Sequence, residues 1–359
     1  MKTFHCDYCH ALLFFESTQC LNCEHLLAYA PALGQVVALE RDGEGQPWLR
    51  AGTGEDQQRY KLCTNYEVEH VCNWALSSDD PNTLCESCRL TRVIPNLAVT
   101  EQRAAWAKLE AAKRRMLYTL QALRCPVQSK AEDPSGLAYE FLASDNGQPQ
   151  VLTGHDNGLI TVNIAEADDA TRERERTRLH EPYRTLLGHF RHEIGHYYWQ
   201  RLLEGQPRIE AFRELFGDER ADYGAALKHH YESGPPAGWE ERYISSYAAS
   251  HPWEDWAESW AHYMHMIDML ETARDCGLKL EPRRRDKPTL TDVKSHTSSA
   301  QFDELIGNWF PLTFVLNNLN RSMGLADGYP FVLTDAVIGK LRFIHETVAA
   351  PAPLAPAGR

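Results

Sequence analysis

The chain is organised around Gly188-His-Phe-Arg-His-Glu-Ile-Gly-His-Tyr-Tyr-Trp199, a stretch that contains His192-Glu193-Ile194-Gly195-His196. On an α-helix, His192 and His196 lie one turn apart on the same face, so both imidazoles can bind one zinc ion. Glu193 then stands beside the ion, where its carboxylate can act as a base. This pattern is typical of a zinc peptidase.

Apolar side chains are predicted to surround this helix and to bury it. A buried face that carries two histidines and a glutamate needs a partner, because ionisable groups in an apolar interior are costly unless they are paired or bound to metal. The apolar residues are Leu186, Leu187, Phe190, Ile194, Tyr197, Tyr198, Trp199, Leu202 and Leu203. The surroundings therefore favour a metal site over a chance match.

Length, composition and net charge limit the classes of protein to which this chain can belong. With 359 residues, 43% hydrophobic and 24% charged, the chain is an ordinary globular sequence long enough for two or three domains. Its net charge of -13 argues against a phosphate-binding surface, and no apolar run reaches the ~18 residues of a membrane span. We predict a cytoplasmic protein with no membrane contact.

Cysteines in the first part of the chain have the spacing of a metal site. Cys6-x2-Cys9 and Cys20-x2-Cys23 are two knuckles that can close on one structural zinc ion with four thiolate ligands. Eight of the ten cysteines lie within the first 90 residues, which fits a reducing compartment better than a disulfide framework.

Cys63, Cys72, Cys85 and Cys88 form a second set, in which only the last pair has knuckle spacing. This set predicts a second structural zinc site. The alternatives are buried free cysteines, or His70 in place of one thiolate.

Residues 1 to 100 hold seven Lys and Arg against thirteen Asp and Glu. We therefore expect that this part binds no nucleic acid and has a protein partner or a structural role instead.

The remaining patterns divide the chain. We predict a cysteine-rich zinc-ribbon domain over 1–98, a linking helix over 99–125, a metallopeptidase domain over 126–348 and a disordered tail over 349–359. Asp156-Asn157-Gly158 predicts a hairpin, whose second strand, Gly158 to Ile164, is expected at a sheet edge where an extended peptide could pair. One helix is predicted from about 209 to 231.

A catalytic zinc ion keeps three protein ligands and one open position, so His192 and His196 need a third. Pro252 suits the first turn of a helix that carries Glu254 and Glu258 one turn apart. The acidic candidates are Glu254, Glu258, Asp218, Glu219 and Asp222, and the physics of the sequence does not choose among them.

Several motifs together resemble a bacterial family of zinc-binding metallopeptidases with an N-terminal zinc ribbon, over roughly residues 1 to 348. They are the cysteine pattern, Arg191-His-Glu-Ile-Gly-His-Tyr-Tyr-Trp199, Phe216-Gly-Asp-Glu-Arg-Ala-Asp-Tyr223 and His251-Pro-Trp-Glu-Asp-Trp-Ala-Glu-Ser-Trp260. The resemblance implies an α+β fold, in which a mainly helical zincin-like domain with a small sheet follows the zinc ribbon.

A more distant likeness concerns Tyr247-Ala-Ala-Ser-His-Pro-Trp-Glu254, which resembles a segment of Mlc titration factor and lethal-factor-type gluzincins. It implies that Glu254 is the third ligand, that Tyr247 donates to the oxyanion and that Glu258 supports a ligand histidine. Asp218-Glu-Arg-Ala-Asp222 also resembles an element of other gluzincins, with Asp218 as ligand and Asp222 beside it.

The predicted function is hydrolysis of a peptide or protein substrate with one catalytic and two structural zinc ions, Glu193 being the base and Tyr247 the oxyanion donor. The alternative is a zinc-ribbon module that binds a protein partner through a peptidase-like domain without turnover.

Overall fold

The computed structural model describes residues 1–41, 43–52, 58–144, 151–179, 184–284, 286–294 and 301–350. The predicted disordered tail lies outside the described residues from position 351 onward. Helices and short sheets are combined as the predicted α+β class requires, with the zinc-ribbon region first and a mainly helical part after it. None of the described helices has the length and apolar character that a membrane span would need.

The cysteine-rich part contains two antiparallel sheets. The first pairs β1 (Phe4–His5) with β2 (Leu12–Leu13). The second has five strands in chain order: β3 (Leu26–Ala30), β4 (Gln35–Glu40), β5 (Trp48–Arg50), β6 (Arg59–Leu62) and β7 (Ala75–Ser77). An additional bridge between Tyr29 and Trp74 joins β3 to the segment before β7, so the two edges of the sheet meet. Two one-turn helices begin directly after cysteines of the second set: α1 (Thr64–Glu67) follows Cys63, and α2 (Glu86–Arg89), which contains Cys88, follows Cys85.

The next sheet joins the two parts of the chain. Its order is β10 (Gly154–Asp156), β11 (Leu159–Asn163), β9 (Ala138–Leu142) and β8 (Thr91–Val93). β8 comes from the cysteine-rich part and pairs in parallel with β9. The helix α3 (Thr100–Ala122), within the predicted linking helix, runs between them in sequence and buries Trp106, Leu109, Met116, Leu117 and Leu120.

The hairpin prediction is confirmed, but its edge assignment is wrong. β10 and β11 pair antiparallel around Asn157 and Gly158, which both have positive φ. β11 pairs with β9 on its other side, so it lies inside the sheet and β10 forms the edge. The sequence could not show this because the β9 pairing is long-range. β10 contacts the metal helix, and the His155 ring stacks on that of His196 with ring centres 6.0 Å apart.

Among the described residues, the α-helices after α3 are α4 (Asp169–Leu179), α5 (Leu186–Leu202), α6 (Ile209–Phe216), α7 (Tyr223–Ser233), α8 (Pro252–Asp275), α9 (Phe302–Ser322) and α10 (Asp335–Ala349). The single helix predicted from about 209 to 231 is two helices. Gly217, with φ of 105°, ends α6, and a Cβ there would lie 3.2 Å from Pro252 Cγ. The acidic segment 218–222 therefore lies between the two helices, where Glu219 pairs with Arg213 of α6.

The centre of the helical part is the contact between α5 and α8. Gly195 lies so close to α8 that a Cβ built on it would be 3.0 Å from Ala257 Cα and 3.2 Å from Trp260 Cβ. Trp256 Nε1 donates to the Gly195 carbonyl oxygen at 2.9 Å, and the rings of Tyr198 and Trp260 stack 4.9 Å apart. The buried, apolar surroundings predicted for the metal helix are therefore supplied mainly by α8.

We predict that Gly195→Ala lowers the free energy of unfolding by about 1–3 kcal/mol, because the added methyl group must push the two helices apart. Gly339→Ala, in α10, is the matched control, since a Cβ there meets nothing within 4 Å. That substitution should leave stability unchanged or raise it by up to ~1 kcal/mol through helix propensity. Urea titration of both variants measures the difference, and equal midpoints would contradict the close contact.

Candidate metal centres and active site

Two helix starts position the central side chains. Thr185 precedes α5 and its Oγ1 accepts the Gly188 N–H at 3.0 Å, which caps the helix that carries His192 and His196. Pro252 occupies the first turn of α8, and the His251 Nδ1 accepts the Trp253 N–H at 3.1 Å. Glu254 therefore lies in the first turn of α8, and the tight α5–α8 contact turns it toward the two histidines.

The three side chains converge on one point. The Nε2 atoms of His192 and His196 lie 3.3 Å apart, and Glu254 Oε2 is 3.0 Å from His192 Nε2. Glu254 Oε1 is 3.6 Å from His196 Nε2. Ligand atoms at ~2.1 Å from one tetrahedral zinc ion are about 3.4 Å apart, so these separations fit a single ion.

Burial and hydrogen bonding also suit a cation here. Glu254 is 1% exposed, and its Oε2 has no hydrogen-bond partner among the described residues. Burial opposes ionisation of Glu254, but the neighbouring His196 and His192 hold its pKa well below the usual range. A buried, charged oxygen that faces two imidazole nitrogens is the donor that a zinc ion completes.

Glu258 lies one turn after Glu254 and supports His192. Its Oε1 accepts the His192 Nδ1–H at 2.8 Å, and its Oε2 accepts the Ser245 hydroxyl at 2.7 Å. Burial opposes its ionisation, yet His192 brings the pKa of Glu258 down to about 2. A carboxylate on Nδ1 fixes the ring so that Nε2 faces the metal position.

Glu193 and Tyr247 line a cavity of about 570 Å³ that also contains His192. The Tyr247 ring centre is 5.9 Å from that of His192. Burial raises the pKa of Tyr247 well above its usual value, so its hydroxyl keeps the proton. Both predicted reaction groups therefore share one cavity with His192.

The acidic segment between the helices is placed elsewhere. Asp218 accepts from Arg220 Nε at 2.7 Å and from its Nη2 at 2.8 Å, on the surface. Glu219 pairs with Arg213, and Asp222 caps α7 by accepting the Ala225 N–H at 2.9 Å. The group of potential metal ligands is His192, His196 and Glu254, so the places predicted for Asp218 and Asp222 beside the metal are corrected: local arginine and backbone partners hold both.

Cys6, Cys9, Cys20 and Cys23 form one cluster at the start of the chain. The Sγ atoms of Cys6 and Cys23 are 3.6 Å apart and those of Cys9 and Cys20 are 3.5 Å apart, far beyond a disulfide and close to the ~3.8 Å edge of a zinc–thiolate tetrahedron. His10 and Glu24, each four residues after the first cysteine of a knuckle, both have φ of 63°. The two knuckles thus share one turn geometry.

The second set, Cys63, Cys72, Cys85 and Cys88, is also one cluster, and all four side chains are buried. Their sulfurs accept backbone N–H groups, Trp74 N on Cys72 and Cys85 N on Cys63, both at 3.4 Å. His70 is not in the group, so the thiolates themselves supply four ligands.

A buried cation faces this second cluster. Arg114 of α3 is 5% exposed, and its Nη1 lies 3.8 Å from Oε2 of the buried Glu110. Lys113 pairs with the same carboxylate at 2.9 Å, so this buried group of one anion and two cations keeps a net positive charge. Burial opposes ionisation of the Cys72 thiol, whereas neighbouring cysteines and the Arg114 charge lower its pKa. Four thiolates and one Zn²⁺ carry a net charge of about -2, which a buried guanidinium offsets.

Three contributing residues carried no signal in the sequence analysis. Tyr223 donates from its hydroxyl to Glu254 Oε1 at 2.7 Å, Ser245 holds Glu258, and Arg114 faces the second cysteine cluster. Tyr223 lies inside the quoted motif that ends at that residue, but spacing alone gives it no role. All three act across long sequence separations.

Family models match both parts of the chain. Residues 102–347 match the family model described as "Putative zinc-binding metallo-peptidase", and residues 3–99 match a zinc-ribbon domain model. An uncharacterized protein of Mycobacterium bovis and two of Mycobacterium tuberculosis are each 43% identical over 355 residues, which is 98% of this chain and 97% of the relative. No solved structure matches the chain.

We predict that Glu254→Gln lowers the zinc content from about three ions per chain to about two, because a neutral amide is a poor zinc ligand. Asp218→Asn, the acidic alternative on the surface, should keep all three. Elemental analysis after dialysis measures both. Loss of one ion from Asp218→Asn and not from Glu254→Gln would overturn the assignment.

Arg114→Met is expected to weaken zinc retention at the second cysteine cluster, since the anionic site loses its buried countercharge. The neighbouring Arg115→Met is the control: Arg115 pairs with Glu16 on the surface. In competition with a chromogenic chelator, the Arg114 variant alone should release one zinc ion at a chelator concentration about 10-fold lower, or lower still. Identical release curves would show that Arg114 does not act on the metal.

Proposed function

Because the chain belongs to the putative zinc-binding metallo-peptidase family, we propose that it hydrolyses peptide bonds at the site formed by His192, His196 and Glu254. The observation that carries the proposal is the convergence of these three ligand atoms beside a cavity that Glu193 and Tyr247 also line. Two histidines with a glutamate from a later helix are the ligand set of the gluzincins, which we propose as the type.

The donor set is suited to zinc, since two imidazoles and one carboxylate leave the fourth tetrahedral position open. His192, His196 and Glu254 would hold the ion, which would supply a Lewis acid and would lower the pKa of a water molecule toward ~7. Ser245 and Glu258 keep His192 in the tautomer that presents Nε2. Tyr223 holds the other oxygen of the Glu254 carboxylate.

Glu193 and Tyr247 carry out the proton and charge steps. Glu193 accepts a proton from the attacking water and later donates it to the leaving amine. Tyr247, which is protonated because burial raises its pKa, donates a hydrogen bond to the carbonyl oxygen as negative charge develops there. One such donor is worth about 3–4 kcal/mol in the transition state.

We predict that Glu193→Gln abolishes cleavage of an unfolded protein such as reduced casein, with a loss of at least about 10²–10⁴-fold, because the amide cannot accept the proton. Zinc content and the circular dichroism spectrum should match those of the unmodified protein. Glu175→Gln is the control, since Glu175 lines the same cavity but lies outside the metal group.

Two results would contradict the proposal. Cleavage that persists in the Glu193 variant would reject the mechanism. A protein that carries all its zinc, cleaves no unfolded substrate and captures one intact partner would favour the non-catalytic binding module instead.

A further inference from the structure

The helix α7 presents an apolar face to the cavity and not to a core. None of its eleven residues, all of which the structure describes, is buried. Tyr223, Leu227 and Tyr231 recur every fourth residue, so they lie on one face of the helix, and all three line the cavity. A short helix usually owes its stability to packing of such a face.

Polar contacts fix the position of α7 relative to the reaction centre. The Tyr223 hydroxyl donates to Glu254 Oε1 at 2.7 Å, and Asp222 caps the first turn. Further along, the His230 ring meets the Tyr247 ring with centres 6.0 Å apart. The apolar face is therefore held beside the metal ligand and the proposed oxyanion donor.

The cavity differs in chemistry from one side to the other. Along α4 and the segments before and after it in sequence the lining is charged, with Glu166, Arg172 and Arg184 among the residues. Glu166 and Arg184 pair with each other across 3.4 Å. Along α7 the lining is aromatic and aliphatic, with Tyr223, Leu227 and Tyr231. An apolar group that enters the cavity would be favoured on the α7 side.

Distance along the helix indicates which part of a substrate meets this face. Leu227 lies one turn, about 6 Å along the axis, beyond Tyr223, which touches the metal ligand. An extended peptide covers that distance in about two residues. A side chain next to the scissile bond, or one residue further, would therefore reach Leu227.

We infer that the apolar face of α7 determines substrate specificity. It binds a large apolar side chain, of leucine or phenylalanine size, adjacent to the bond that is cleaved. The inference rests on the proposed peptidase function and adds the substrate class to it. Burial of such a side chain between Leu227 and Tyr231 accounts for an apolar helix face that no core covers.

The test compares Leu227→Lys with Leu215→Lys on a set of peptides that carry Leu, Phe, Ala or Asp at each position around the cleaved bond. Leu215 is a matched control, since it is a 40% exposed leucine of α6 that does not line the cavity. The unmodified protein should prefer Leu or Phe over Asp by about 10–100-fold in kcat/KM at one position. Leu227→Lys should reverse that preference, while Leu215→Lys should keep it.

A binding measurement separates this inference from the peptidase proposal. Fluorescence anisotropy with the Glu193→Gln variant reports peptide affinity without turnover, and the double variant with Leu227→Lys should bind the Leu or Phe peptide about 10-fold more weakly and the Asp peptide more tightly. Unchanged preferences in both assays, with cleavage retained, would overturn the role of α7 and leave the peptidase intact. Absence of cleavage with apolar binding preserved would reject the peptidase and keep the apolar site.

Discussion

The arrangement of the site depends on the contact between α5 and α8 at Gly195. Because Gly195 has no side chain, α8 can approach the α5 backbone more closely than a Cβ would allow, and Trp256 donates to the Gly195 carbonyl oxygen. That approach places the first turn of α8 beside the two histidines. Without it, Glu254 could not share a metal with His192 and His196, whose mutual position is set by their own helix.

Close approach of the two helices also buries charge, and the fold pairs that charge residue by residue. Asp268 of α8 accepts from Arg191 of α5 at 2.6 Å, and Asp255 accepts from Lys340 of α10 at 2.5 Å. Glu258 is held by His192 and Ser245. Each of these carboxylates has a partner on another element. Burying them on α8 therefore costs less free energy than burying isolated charges would. Glu254 Oε2 lies 3.0 Å from His192 Nε2, within the group of potential metal ligands.

The cysteine-rich part is joined to the helical part by structure as well as by sequence. β8 extends the sheet that carries the β10–β11 hairpin, and α3 presents Arg114 to the second cysteine cluster. The same sheet brings His155 against His196. The zinc-ribbon part and the metal helix are therefore connected through one continuous sheet and one helix.

Sequence patterns were sufficient to predict features that lie within a single helix or turn. The His192/His196 pair, the two Cys-x2-Cys knuckles and the turn at Asn157-Gly158 follow from spacing within a single helix or turn, and the sequence by itself determined them, together with the α+β class and the family. Helix ends that depend on a neighbour were harder: Gly217 breaks the predicted long helix where it meets Pro252. The edge strand was misassigned because its neighbour β9 is distant in sequence.

Only the tertiary structure decided among carboxylates of identical chemistry. Asp218, Glu254 and Glu258 carry the same carboxylate chemistry. In the structure Asp218 pairs with Arg220, Glu258 accepts from His192 Nδ1, and Glu254 lies beside His192 Nε2 in the group of potential metal ligands. The structure also added Tyr223 and the apolar face of α7, whose role depends on what they face. The physical reason is the same in each case: spacing fixes direction within an element, whereas ligand choice and substrate contact depend on how separate elements pack.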